Sequence, residues 1–231
     1  VPENLYDKRV ANTFEIQDGV LRLLFYSSFH CDIKCSTMSS SETTTDLSIQ
    51  KPSIGEIYSA QQIQERIVEL GKIISRDYAD LEKPVVIGVM KGAFCFLADL
   101  VRNIQTKDPL QIEFVRLSSY GSGKESSGHV QAPWLDLPDI RGRHVLVVED
   151  IVDSGRTAKF FMEYLRDQFN PKTLKMAAFL DKPSRRVVPM EAQYVGFTID
   201  DLFVVGYGLD FAENYRELPF LGELKNAILE V

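Results

Sequence analysis

Two adjacent acids, Glu149 and Asp150, are followed three residues on by a third acid, Asp153, and then by Ser154-Gly155-Arg156-Thr157. This order of residue types suits an anion cradle for one phosphate. Successive backbone N–H groups from Asp153 to Thr157, at the start of a helix, would cradle a single phosphate. Gly155 permits close approach and Thr157 adds a hydroxyl. Glu149 and Asp150 would repel a phosphate that touched them. They suit ribose hydroxyls better, or a Mg2+ that also binds the ligand. The plainer alternative is an acidic turn with Asp153 or Ser154 as helix N-cap. A Walker loop is excluded, because no Gly-Lys-Ser/Thr follows a four-residue gap.

The elements that must position these residues are legible on either side. His144 to Val148 is an apolar, β-branched run, as in a buried parallel strand. Phe160, Phe161, Tyr164 and Leu165 then fall on one side of a helix. Upstream, Ser59 with Gln62 forms a capping box before a helical stripe of Ile63, Ile67, Leu70, Ile74 and Tyr78. Val85–Met90 reads as a short buried strand that ends in Lys91-Gly92, and a helix carrying Phe94, Phe96, Leu97 and Leu100 follows. Gln111–Leu117 alternates as a strand, with Ile112, Phe114 and Val115 as its inward candidates. Ser118–Gly128 is rich in Gly and Ser, and reads either as a connector or as a lid carrying Tyr120. Leu174–Leu180 is a further strand, and Tyr194–Ile199 and Phe203–Gly208 look like a strand pair. Helices alternating with strands predict an α/β fold with a central, mostly parallel sheet flanked by helices. In such a sheet the strand ends converge on one rim. That rim would collect Lys91-Gly92, Ser119-Tyr120, Glu149-Asp150, Lys182 and Asp210.

The 231 residues are 45% hydrophobic and 26% charged, enough for one domain with a real core. A net charge of −7 argues against a general nucleic-acid or membrane surface. Cys31, Cys35 and Cys95 are an odd set without a second metal-ligand pair. Zinc is therefore not expected, Cys95 reads as a buried thiol, and the usage suits a reducing, cytoplasmic setting. Residues 1–52 read differently from the rest. Ser39–Thr45 is polar and low in complexity, and Met38 stands just before it. Residues 1–52 are expected to be an N-terminal extension, flexible or non-native, with a single folded domain over 53–231.

The string Val145–Thr157 resembles the phosphoribosyl diphosphate (PRPP) binding motif of the type I phosphoribosyltransferases. With Val89-Met90-Lys91-Gly92, Ser118-Ser119-Tyr120-Gly121, Leu180-Asp181-Lys182, Phe203–Asp210 and Tyr215–Leu218, the chain is similar to the hypoxanthine-guanine phosphoribosyltransferases from about Ile57 onwards. The resemblance implies the type I fold with a small hood region, and purine salvage. The reaction is transfer of 5-phosphoribosyl from PRPP to N9 of hypoxanthine or guanine, giving IMP or GMP and pyrophosphate. It implies that Asp153, Ser154, Gly155, Arg156 and Thr157 hold the 5′-phosphate. Glu149 and Asp150 would contact the ribose hydroxyls, directly or through Mg2+. Asp210 would bind a second Mg2+. Lys91, Gly92, Ser119 and Arg216 would meet the remaining phosphates, with the Lys91–Gly92 peptide often cis in the family. For the base, Lys182 would donate to the 6-carbonyl, Phe203 would stack, and Val204 and the Asp210 carbonyl would meet the purine edge. Asp153 would serve N7 as general base or hydrogen-bond partner. The loop carrying Tyr120 would close over a transition state with oxocarbenium character. The family implies a homodimer or homotetramer, with no nucleic-acid or membrane partner.

Arg156 replaces a Lys found in some members, and Ala93 a Gly or Ser. Three rivals differ from this reading. A xanthine-preferring enzyme would differ where the base presents C2. An RNA-binding regulator on the same fold would need a basic face. A PRPP synthase-like subunit would need duplicated halves.

Overall fold

The computed structural model describes residues 15–17, 20–22, 53–117 and 137–225. The chain divides into two compact units, Val1–Ser48 and Ile49–Val231. In the first, β1 (Glu15–Gln17) and β2 (Val20–Arg22) pair antiparallel. The rest of the expected extension lies outside the described residues.

The second unit opens with β3 (Ser53–Tyr58) and α1 (Ala60–Tyr78). Ser59 caps α1 as its sequence predicts: its hydroxyl accepts from Gln62 N, and the Gln62 side chain accepts from Ser59 N. There follow β4 (Val85–Met90), α2 (Phe94–Arg102), β5 (Gln111–Arg116), β6 (His144–Val152), α3 (Arg156–Phe169), β7 (Thr173–Asp181), β8 (Tyr194–Thr198), β9 (Val204–Val205) and β10 (Leu221–Lys225).

Five strands form a parallel sheet in the order β5-β4-β6-β7-β8. Its centre is β6, whose side chains alternate between two cores. Leu146 and Val148 join the α1 and α2 residues Ile67, Leu70, Phe96 and Leu100. Val145 and Val147 join Phe161 and Leu165 of α3. An uninterrupted apolar strand is thus explained by helices on both faces. From β4 the chain runs outward through α2 to β5. It then returns to β4's other side as β6 and proceeds to β7 and β8. The direction of winding therefore reverses between β4 and β6, and the strand ends there leave a crevice for ligand. The expected hood is a three-stranded antiparallel sheet, β3-β10-β9.

Three local expectations are corrected. Ile112 and Phe114 are exposed and Val115 is the buried residue, because β5 is a sheet edge with the α2 face left partly open beside it. The segments Tyr194–Ile199 and Phe203–Gly208 do not pair with each other. β8 adds to the parallel sheet through β7, and β9 pairs with β10. Only Val204–Val205 of the second segment is strand, since positive φ at Gly206, Tyr207 and Gly208 turns the chain immediately afterwards. Cys95 is half-buried rather than enclosed, and burial pushes its thiol up. No described helix is long and apolar enough to cross a membrane.

Candidate active site

At the winding reversal, the ends of β4 and β6 touch. A Cβ placed on Gly92 would lie 1.4 Å from Asp150 Oδ2, so glycine is required for the Lys91-Gly92 turn to pass over the carboxylate. The carbonyl of Gly92 in turn lies 2.2 Å from where a Cβ of Gly208 would sit. Three segments far apart in sequence are thereby brought together without intervening side chains. A non-proline cis peptide is present here, but it joins Met90 to Lys91. The expectation of a cis Lys91–Gly92 bond is wrong by one position.

Glu149 and Asp150 are half-buried at the end of β6. Ile151 N donates to Asp150 Oδ1 at 2.7 Å, while Glu149 Oε2 is buried without a hydrogen-bond partner. Burial raises the Glu149 carboxyl well above the usual range, and the neighbouring Asp150 charge adds to this. Burial raises Asp150 as well, partly offset by its hydrogen bonds from Glu149 and the backbone. Two crowded acids with an unpaired oxygen are a site in want of a cation. No cluster of three His, Cys, Asp or Glu side chains suitable for a metal occurs among the described residues. Mg2+ does not require one, because it takes one or two carboxylates and completes its shell with substrate oxygens and water. The Glu149–Asp150 pair fits that demand.

Beyond Val152 the chain bends through Asp153 and Ser154 to Gly155, which caps α3 at φ +80°. Neither Asp153 nor Ser154 is the N-cap. A left-handed φ is what allows Arg156 and Thr157 to begin the helix directly after the loop, so that first-turn amides follow the bend. Ser154 Oγ accepts from Arg156 N at 3.4 Å, and Arg156 and Thr157 are exposed. Asp153 is 40% exposed and paired through Oδ1 with Arg185 Nε at 2.8 Å. Arg185 also bonds both oxygens of Asp201, at 3.1 and 3.0 Å.

Opposite the bend, β7 ends at Asp181 and Lys182 follows, 7% exposed. Its ammonium donates to Leu202 O at 2.6 Å. Burial lowers its pKa, with Asp153 and Asp201 acting in the other direction. Leu202 leads into Phe203, whose ring is 42% exposed and meets Phe211 edge-on at 5.6 Å. An open aromatic face thus stands one residue from the carbonyl that Lys182 holds. Val204 is buried, opposite Glu223 in the second sheet.

The last segment turns sharply, with positive φ at Ala212, Glu213 and Tyr215. It returns Arg216 beneath Gly208, whose carbonyl accepts from Nη1 at 2.8 Å. Arg216 Nη2 lies 2.7 Å from Asp210 Oδ1, and Asp210 Oδ2 accepts from Glu213 N at 2.9 Å. Arg216 Nε is buried and unpaired. Glu213 binds Lys91 Nζ at 2.7 Å and approaches Arg216 Nη2 at 3.4 Å. The bond from Lys91 is the chief reason its carboxyl lies below the usual range. Glu213 and Arg185 were not singled out from sequence. Both lie just outside the motifs that were, and only the folded chain shows the carboxylate between two cations and the cation between two carboxylates. Ser119 and Tyr120 lie outside the described residues.

A crevice at a reversal of strand order, with a bend opening a helix beside two acids, defines a phosphoribosyl-binding protein by its chemistry. In agreement, residues 53–212 match the phosphoribosyl transferase domain family. Among curated proteins, the hypoxanthine-guanine phosphoribosyltransferase of Dictyostelium discoideum is 47% identical over 171 residues, covering 73% of this chain and 94% of its own length. That of Bacillus subtilis (strain 168) is 43% identical over 174 residues, covering 75% and 94%. A crystal structure of a hypoxanthine-guanine phosphoribosyltransferase from Bacillus anthracis superposes with a TM-score of 0.67 at 46% identity, covering 74% of this chain and 99% of the other. The chain belongs to the hypoxanthine-guanine phosphoribosyltransferase family.

Proposed function

We propose that the chain transfers the 5-phosphoribosyl group of PRPP to N9 of hypoxanthine or guanine, releasing pyrophosphate and giving IMP or GMP in purine salvage. The observation that carries this is Lys182. A buried ammonium has donors and no acceptor, and it faces a backbone carbonyl beside the open Phe203 ring. A base stacked on Phe203 that presents a carbonyl at C6 offers Lys182 an acceptor; adenine, with an amino group there, offers a second donor. A site built on such a bond rejects the mismatched base strongly.

In this reading the amides of residues 153–157 hold the 5′-phosphate, and Lys91, Gly92 and Arg216 hold the pyrophosphate end with Ser119. Charge builds on pyrophosphate as the bond to C1′ breaks, and Arg216 is placed to receive it. Asp153 accepts or shares the proton at N7 of the base. Tyr120 and its loop exclude water from the cation-like sugar. Glu149 and Asp150 would hold Mg2+, which when bound neutralises the phosphate oxygens. At Asp210 a second ion would share the carboxylate with Arg216 and Glu213 N, whereas Glu149 Oε2 has no partner. The catalytic domain is taken as residues 53–231, acting as a cytoplasmic homodimer or homotetramer.

Separate calorimetric titrations of Lys182→Ala test the assignment. Hypoxanthine affinity should fall about tenfold or more while PRPP affinity stays within twofold. Equal losses for both ligands would contradict it.

A further inference from the structure

A loop that offers its amides to an anion must turn its carbonyls elsewhere, because a carbonyl facing phosphate repels it. From Val152 to Ser154 every carbonyl is taken by one other segment, residues 182–187. Val152 O accepts from Lys182 N at 3.0 Å and from Arg186 Nη1 at 2.9 Å. Asp153 O accepts from the same Nη1 at 2.5 Å. Ser154 O accepts from Val187 N at 3.0 Å. Gly155 O is used inside the helix, by Lys159 N at 2.9 Å. The other terminal nitrogen of Arg186 pairs with Asp181, and these two side chains are only 15% and 18% exposed. Arg186 lies behind the loop, along its carbonyl side. A Cβ on Gly155 would lie 2.8 Å from Arg186 Cδ, so the stem of Arg186 occupies the space that a side chain at 155 would need.

From this geometry we infer that Arg186 is a positioning residue that holds the bend at 152–155 with its amides outward, without touching ligand itself. The inference rests on the reading of residues 153–157 as the 5′-phosphate site. A planar guanidinium is what the position demands. It holds two consecutive carbonyls with one nitrogen and a carboxylate with another, which a lysine ammonium cannot do in one fixed plane. The same segment begins at Lys182, the residue that reads the base. Phosphate cradle and purine pocket are therefore built on one template, whose two ends are Lys182 and Val187.

The test is calorimetry on the full chain with two probes, ribose 5-phosphate and pyrophosphate with Mg2+, for wild type, Arg186→Gln and Arg186→Lys. A displaced cradle should weaken ribose 5-phosphate by about ten- to a hundredfold in Arg186→Gln, with pyrophosphate held within twofold. Arg186→Lys keeps the charge and most of the stem but reaches one carbonyl, and should lose about three- to tenfold. It carries the same test if Arg186→Gln does not fold. Equal weakening of both probes would reduce Arg186 to a general staple and overturn the inference, as would unchanged affinity for ribose 5-phosphate in either variant. Wild type that binds pyrophosphate but not ribose 5-phosphate would instead overturn the cradle reading on which the inference stands.

Discussion

Gly92→Ala isolates the contact on which the crevice depends. The added methyl would sit 1.4 Å from Asp150 Oδ2, 2.5 Å from Cγ and 3.1 Å from Cβ. Ordinary carbon–oxygen contact needs more than 3 Å, so the carboxylate must swing by about 2 Å or the turn must lift. Swinging breaks the 2.7 Å bond from Ile151 N. A hydrogen bond to a charged group contributes about 1.5–3 kcal/mol, and overpacking adds about 1–3 kcal/mol. A loss of about 2.5–6 kcal/mol in all should lower the thermal midpoint by roughly 5–24 °C for a domain of this size. A carboxylate misplaced by more than 1 Å should also reduce kcat/KM for PRPP by about a hundredfold. The double variant Gly92→Ala/Asp150→Ala separates the two effects. Only the 3.1 Å contact with Cβ then remains, which a shift of a few tenths of an ångström relieves. Its midpoint should return close to that of Asp150→Ala alone while turnover stays lost. Thermal melts of the four proteins close the cycle, with a coupling close in size to the whole Gly92→Ala loss expected. Additive losses, or a Gly92→Ala protein that melts like wild type, would refute the argued contact.

Three further outcomes follow from the site and its frame. His144 is 6% exposed, its Nδ1 is 2.9 Å from Thr173 Oγ1, and burial chiefly, then Lys172, holds its pKa below 6.5 against the opposing charge of Glu82. Between the folded value and 6.5 the unfolded chain binds more protons, so stability is lost as pH falls through that window, by at most about 1.4 kcal/mol per unit. Melts from pH 7.5 to 5 should fall more steeply for wild type than for His144→Gln, and parallel curves would contradict this. Glu213→Gln removes the internal anion between Lys91 and Arg216, so inhibition by pyrophosphate should strengthen about two- to fivefold; weaker inhibition would show that Glu213 organises the cations. Asp153→Asn should lower kcat by roughly tenfold to several hundredfold with the melting midpoint nearly unchanged, since its pair with Arg185 is exposed; an unchanged rate would remove its role at N7.

Much of this was legible in the chain, for identifiable reasons. β6 and β4 are buried on both faces, so their apolar runs admit no other reading. The α1 capping box is local and appeared as its residues predict. Alternation misled at β5, where Ile112 and Phe114 look inward by pattern but belong to an edge with little to cover it. Periodicity also could not show that β8 and β9 join different sheets. That depends on partners as distant as Ala177 and Glu223, contributed by β7 and β10. β3 and β10 were missed because a short strand in a small sheet carries no strong period. At the site, motifs singled out Asp153–Thr157, Lys182, Asp210 and Arg216. They could not reveal Arg186, whose task is to bind carbonyls from behind, nor the contact of Gly92 with Asp150, which only tertiary approach creates.

The central claim, that this rim transfers phosphoribosyl to 6-oxopurines, is tested most directly by one spectrophotometric assay. PRPP and Mg2+ are supplied with hypoxanthine, guanine, xanthine or adenine in turn, and the product is followed. Turnover of hypoxanthine and guanine, with none on adenine, is the predicted result. Turnover of adenine at a comparable rate would contradict the Lys182 assignment. Absence of turnover on every base, in protein that still binds PRPP, would contradict the account as a whole.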